Sequence, residues 1–209
     1  MKKIFFSILA ICTILITACN NNAGKNEPEK HDMNTMSKDS TSPAVDDNEM
    51  KAVVVTYTNV DVKIAASFKE MVDHYLHIKN ALTNDNGNDA ASGAKAMEAV
   101  IKNLDKSLLT AEQIKDYDKN EEELKEHAEH IAKNSDRVEH QRSHFAMLSE
   151  VMYELVKAFG GGRALYHDHC PMYDENKGAM WLSEIKEVKN PYYGSKMLTC
   201  GKTVETIKQ

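Results

Sequence analysis

Cysteine is scarce here, with four in 209 residues. Cys12 and Cys19 belong to the N-terminal segment, so the remainder of the chain holds only Cys170 and Cys200. That remainder carries at most one disulfide. Long apolar runs are also missing. The one candidate, residues 4–16, is too short to span a bilayer comfortably. Positive charge is in deficit. The formal net charge is -6, and loss of Lys2 and Lys3 with a signal segment takes it to -8. An acidic chain is a poor partner for nucleic acid or an anionic membrane face, and no nucleic-acid role is expected. The sequence has no H-E-x-x-H, no phosphate-cradling glycine loop and no serine elbow. Cys170 and His169 are adjacent, and adjacent residues rarely form a nucleophile–base pair. Glu126 and Glu129 lie among the histidines of a single helix, which is not the two-helix Glu-x-x-His di-iron pattern. No enzymatic activity is expected.

What is present begins with an export signal. Met1-Lys2-Lys3 is a basic start, and the apolar run ends at Ile16-Thr17-Ala18-Cys19. Small residues before that cysteine resemble the bacterial lipobox. The resemblance implies a signal peptide over 1–18 and a mature protein lipidated on Cys19. Such a double lipid signal anchors a protein stably without spanning the membrane. Asn20 follows, not the Asp that marks inner-membrane retention in Gram-negative lipoproteins. This implies the periplasmic face of the outer membrane.

Residues 19–51 read as a tether. Asn, Ser, Thr, Asp and Lys dominate, and no apolar periodicity offsets the entropy of ordering. His31, Met33 and Met36 lie within it, as ordinary linker composition.

Residues 52–209 are close to the usual size of one domain. The spacing of apolar residues predicts a mainly α fold, an antiparallel up-down bundle of about four helices. Ile64, Phe68, Met71, Tyr75, Ile78 and Leu82 mark the first helix. Ala90, Ala94, Met97, Ile101 and Leu104 mark the second. The third starts at Thr110 with Gln113 three residues on, a capping-box pattern. The fourth is announced by Asp136 and Glu139 and stops at Gly160-Gly161-Gly162. Val53 to Tyr57 is β-prone. Residues 163–209 have no helical stripe and predict an irregular and β cap, ending in a strand at 203–207.

The cap holds the chemistry. Cys170-Pro171-Met172 and Met197-Leu198-Thr199-Cys200 each pair a thiol with a thioether. These soft ligands favour Cu(I) over Ca, Mg or Mn. Two cysteines in an exported protein also fit a structural disulfide, which needs no methionine. A tetrahedral zinc site from the two thiols and two histidines is a further option. His167-Asp168-His169 abuts Cys170, and an extended H-x-H places both imidazoles on one side. His74/His77, His127/His130 and His140/His144 sit at helical spacing on the flanks of their stripes. A solvated polar flank is the ordinary explanation for each pair. His144 is the exception, beside core residue Phe145 on the helix leading to the cap. Trp181 is the candidate cover for a bound cation, with core packing of the cap as its ordinary role.

Several stretches are familiar. They are Tyr75-Leu76-His77-Ile78-Lys79-Asn80-Ala81-Leu82, Tyr153-Glu154-Leu155-Val156-Lys157-Ala158-Phe159-Gly160, Cys170-Pro171-Met172, Gly178-Ala179-Met180-Trp181-Leu182-Ser183, Asn190-Pro191-Tyr192-Tyr193-Gly194 and Met197-Leu198-Thr199-Cys200-Gly201. Together, over about residues 70–207, they resemble domain-of-unknown-function family 3347 of Bacteroidota. That family occurs as exported lipoproteins and as a module attached to copper/silver efflux adaptor proteins. The resemblance implies metal handling through Cys170, Met172, Met197 and Cys200.

The expectation is a lipid-anchored periplasmic protein that binds Cu(I) or Ag(I), with zinc as second choice, and buffers it or passes it to an efflux adaptor. Its ligands would be Cys170, Met172, Met197 and Cys200, with His167, His169 and His144 nearby. The competing expectation is a non-metal interaction module stapled by a Cys170–Cys200 disulfide.

Overall fold

The computed structural model describes residues 51–208. The signal at 1–18, the lipidation residue Cys19 and residues 19–50 of the tether, with His31, Met33 and Met36, lie outside the described residues.

Strand β1 (Lys51–Val54) opens the domain. Lys51, placed in the tether by composition, lies in this strand. After β1 the chain leaves the sheet and lies along the end of the fourth helix, with Thr56 N–H on Lys157 O and Tyr57 N–H on Ala158 O.

The four helices follow the apolar stripes. Helix α1 (Val62–Thr83) is capped by the Asp61 carboxylate, which accepts from Lys63 N–H. Helix α2 (Gly87–Asn103) is capped by Asn86, and α3 (Ala111–Lys133) by the full Thr110/Gln113 box. Helix α4 (Val138–Phe159) ends at Gly160, φ 83°, a backbone state that glycine takes without Cβ strain. Its start differs from expectation. Asp136 does not cap it, and Arg137 occupies the cap position without a side-chain hydrogen bond to the first turn.

Consecutive helices pack on each other, and α1 also meets α4, which closes the bundle. Phe68 stacks on Phe159, and Tyr75 on Phe145. Each such fully buried side chain contributes roughly 1.5–3 kcal/mol. No helix among the described residues is long and apolar enough to cross a membrane.

The cap is a four-stranded sheet in the order β1-β4-β2-β3. It consists of β2 (Leu165–Cys170), β3 (Ala179–Ser183) and β4 (Lys202–Lys208), with β1 supplied from before the bundle. β1 runs parallel to β4, while β2 runs antiparallel to both β3 and β4. Side chains of the helices fasten the sheet and the loops beside it. Tyr75 Oη accepts from Leu182 N–H at 3.0 Å. Lys79, fully buried, reaches Glu184 at 2.7 Å. Arg142, also buried, donates to Pro191 O, Leu82 O and Asp85.

Candidate metal centre

Strand register makes the two cysteines neighbours across thirty residues of chain. His169 on β2 pairs with Lys202 on β4. Cys170 is the next residue on one strand, and Cys200 stands two before the other. The strands come this close because residue 201 is glycine. With φ 140°, it would put a Cβ 2.8 Å from His169 O and 3.0 Å from the Trp181 ring.

The backbone around the thiols is pinned. Cys200 N–H donates to Met197 O, and Asn190 Nδ2 donates to Cys200 O at 2.7 Å. Asn190 is fully buried, and its Oδ1 accepts from Tyr192 N–H and Tyr193 N–H. Tyr193 Oη donates to Met172 O at 2.8 Å.

Three sulfurs converge as a result. Cys200 Sγ lies 3.8 Å from Cys170 Sγ and 3.7 Å from Met172 Sδ. At this spacing the two sulfurs are not bonded to each other in this structure. Cys170 is buried, Cys200 is half-buried and Met172 is exposed, so the group opens to solvent on one side. A metal–sulfur bond of about 2.3 Å in tetrahedral array sets sulfurs about 3.8 Å apart. The two spacings from Cys200 Sγ are close to this value. Burial first, then the adjoining Cys170, push the Cys200 thiol up. Burial and the two nearby thiols likewise push the Tyr193 hydroxyl up.

The other expected ligands are placed elsewhere. Met197 supplies the carbonyl that holds Cys200, and it lines a surface cavity of about 360 Å³ with Tyr173 and Tyr193. His167 is buried, stacked on Tyr153 at 4.0 Å and bonded through Nδ1 to Glu205 at 3.0 Å. Burial pushes it down, against the pull of Glu205. His169 packs at the Gly178 backbone, where an added Cβ would strike its Nε2. Trp181 is fully buried, edge-on to Tyr192, and packs the cap. It is a core residue in this structure, which is its ordinary role. Asp168, between the two histidines, is fully buried, and burial raises its carboxyl to about 6.

His144, the candidate ligand on the helix leading to the cap, does not join the sulfurs. Its ring instead meets His127, His130 and His140 on the facing sides of α3 and α4. His144 Nδ1 lies 3.3 Å from His127 Nδ1. His130, His140 and His144 each bring a nitrogen within 4.8 Å of the others. Among the described residues, no other three His, Cys, Asp or Glu side chains converge this closely. Neither His167 nor His169 therefore completes the thiol pair. Burial, then His130, His140 and His127, push His144 down to about 4. Burial also lowers His127 and His140. A signal for this cluster lies in the sequence. His130 and His140 are nearly equidistant from the turn at 134–137, as are His127 and His144, so an antiparallel pair must bring them face to face.

The matching family model is described as a protein of unknown function (DUF3347), and it matches residues 71–163. Over that stretch the chain is similar to this family. The match runs from within α1 to just beyond α4. The motifs from Cys170 to Gly201 that also carry the resemblance lie past its end. No curated protein and no solved structure matches the chain. The stretch that matches DUF3347 thus carries the histidine cluster, and the sheet that follows it carries the sulfurs.

Proposed function

We propose that this protein binds Cu(I) or Ag(I) through the thiolates of Cys170 and Cys200 and the thioether of Met172. The observation that carries the reading is the convergence of three sulfurs within 3.8 Å steps at a partly open surface. A thiolate–thioether set is soft, which selects a soft monovalent ion over hard cations. The thioether is neutral and exposed, so it is the ligand that lets go first when metal is handed on. Met197 sits one turn away and is a second thioether for an incoming or departing ion. Buffering the ion, or passing it to an efflux adaptor, fits such a half-open site.

Lipid attachment at Cys19 holds the domain at the membrane in this proposal, motivated by the lipobox-like Ile16-Thr17-Ala18-Cys19. Mass spectrometry of the native mature N-terminus is expected to show a lipidated cysteine. An unmodified terminus removes the anchor from the proposal.

The metal reading is tested by Cu(I) competition against a colorimetric chelator under reducing conditions. Full-length protein is expected to take Cu(I) from a micromolar chelator. Met172→Leu keeps nearly the same volume and costs less than about 1.5 kcal/mol of stability. Its Cu(I) affinity is expected to fall tenfold or more, equivalent to roughly 1.4 kcal/mol per decade. Wild-type protein that leaves all Cu(I) with the chelator sinks the proposal.

The runner-up is a disulfide staple, favoured by the same closeness of the thiols. It needs sulfurs bonded at about 2.05 Å. A thiol titration of the native protein that finds no free thiol, with Met172→Leu indistinguishable from wild type, would select it.

A further inference from the structure

We propose that His130, His140 and His144, with His127 behind them, form a second metal site that takes a borderline divalent ion such as Zn²⁺. The site lies between α3 and α4, near the turn that joins them. It is separate from the sulfur group in position and in chemistry.

The geometry carries the proposal. Three ring nitrogens from two helices lie within 4.8 Å of one another. The His130 and His144 rings stack at 4.1 Å, and His140 meets His144 edge-on at 4.6 Å. A tetrahedral ion with bonds of about 2.0–2.1 Å needs ligand nitrogens about 3.4 Å apart. Closing the remaining gap takes about 1.4 Å at most, within reach of side-chain rotation in half-buried residues. His127 Nδ1, 3.3 Å from His144 Nδ1, stands ready to hold that ring's other nitrogen or to become the fourth ligand.

The histidines of α1 show what an unremarkable pair does. His77 Nε2 bonds the Asp89 carboxylate at 2.9 Å, and His74 lies 3.8 Å from Glu70. The α3–α4 rings face each other instead, although Glu123, Glu126 and Glu150 are near enough to act on the charge of His127, and Glu126 on that of His144. Those carboxylates favour a cation in the cluster, and Arg137 beside His140 opposes it. Neutral imidazoles are ligands for Zn²⁺, Cu²⁺ and Ni²⁺, whereas the sulfur group suits a soft monovalent ion. One domain would then hold two classes of metal without competition between the sites.

The test uses full-length protein carrying Cys170→Ala and Cys200→Ser, so that the sulfur group cannot contribute. Metal-free protein is titrated with Zn²⁺ against a micromolar chromogenic chelator. One equivalent is expected to bind with submicromolar affinity and to raise the melting temperature. His130→Gln and His140→Gln, both at half-exposed positions, and His144→Gln are each expected to weaken Zn²⁺ binding at least tenfold. His77→Gln is expected to leave it unchanged. Circular dichroism melts without metal check that each variant is folded. Absence of Zn²⁺ uptake, or equal uptake by folded His130→Gln and His140→Gln, overturns the proposal. Because the cysteines are already gone, neither result bears on the Cu(I) reading.

Discussion

Cys170→Ala together with Cys200→Ser is expected to lower Cu(I) affinity about a thousandfold or more, the largest effect of any change in this protein. Altering a group that merely hydrogen-bonds to a metal ligand already costs about 10–100-fold. Removing both thiolates removes the charged ligands themselves and leaves one neutral thioether. A thousandfold loss corresponds to about 4 kcal/mol. The fold should survive. Cys200 is half-buried, and truncation of buried Cys170 opens only a small cavity in a sheet otherwise held by β3 and β4. A staple predicts the reverse, with about 2–5 kcal/mol of stability lost and metal binding unmoved. The pH dependence has a defined sign. Burial and the neighbouring thiol raise Cys200, so binding at neutral pH must expel its proton. Affinity is expected to rise with pH, by about tenfold per unit for each proton released. Competition assays and melts of wild type and the double variant, at two pH values, supply all the numbers. A double variant that binds Cu(I) as well as wild type removes the sulfur site.

Arg142→Met carries the largest expected loss of stability. The Arg142 side chain is 3% exposed and ties three segments together. Its Nε donates to Pro191 O at 2.9 Å in the cap turn, and its Nη2 donates to Leu82 O at the end of α1. Nη2 also meets Asp85, which in turn accepts from Ser195 N–H. Removing one member of a buried ion pair costs about 3–5 kcal/mol. Asp85 is partly exposed and keeps Ser195, so the low end applies. A loss of about 3 kcal/mol in a domain of this size lowers the melting temperature by roughly 6–12 °C. The hydrogen bonds from Ser195 and Arg142 hold the Asp85 carboxyl down at about 2, against 3.8 unperturbed. This is a depressed carboxyl, so its contribution is present above 3.8 and is lost as pH falls toward about 2. The penalty of Arg142→Met is therefore expected to shrink in strong acid. Thermal melts across pH check both the size and the fading. A variant that melts within 2 °C of wild type at neutral pH would mean that Arg142 does not brace the cap.

The bundle was legible because a 3.6-residue period survives in sequence without knowledge of partners. The stripes of Ile64 to Leu82 and of Phe145 to Phe159 became the buried faces of α1 and α4. The Thr110/Gln113 box formed because both of its hydrogen bonds are local. Partners across the fold were not legible. Periodicity places His144 on a flank but does not say which helix that flank faces, and the facing element is α3 rather than the cap. Nothing local marks Lys79 and Arg142 as buried, since their acceptors stand on other segments, Glu184 for Lys79 and Pro191 O, Leu82 O and Asp85 for Arg142. The sulfur residues were visible as a composition of soft ligands. Their convergence depends on the β2–β4 register and on Gly201. His167 was drawn away by Glu205 and Tyr153, which lie on other elements.

The position of β1 at the outer edge of the sheet has a consequence for the order of assembly. Among the described residues its one sheet neighbour is β4, and Lys51 lies opposite Glu205. The helices find their neighbours between consecutive segments, so the bundle can form early and fast from local contacts. The sheet cannot. β1 precedes the bundle in sequence and stays unpaired until β4 docks beside it. Loop-closure entropy over that span grows only slowly with length, so the thermodynamic penalty of this long-range pairing is modest. Cys170 and Cys200 share the delay. They become neighbours only when the final strand docks, so the thiol pair is the last part of the molecule to mature and is open to oxidants and stray ions until it does.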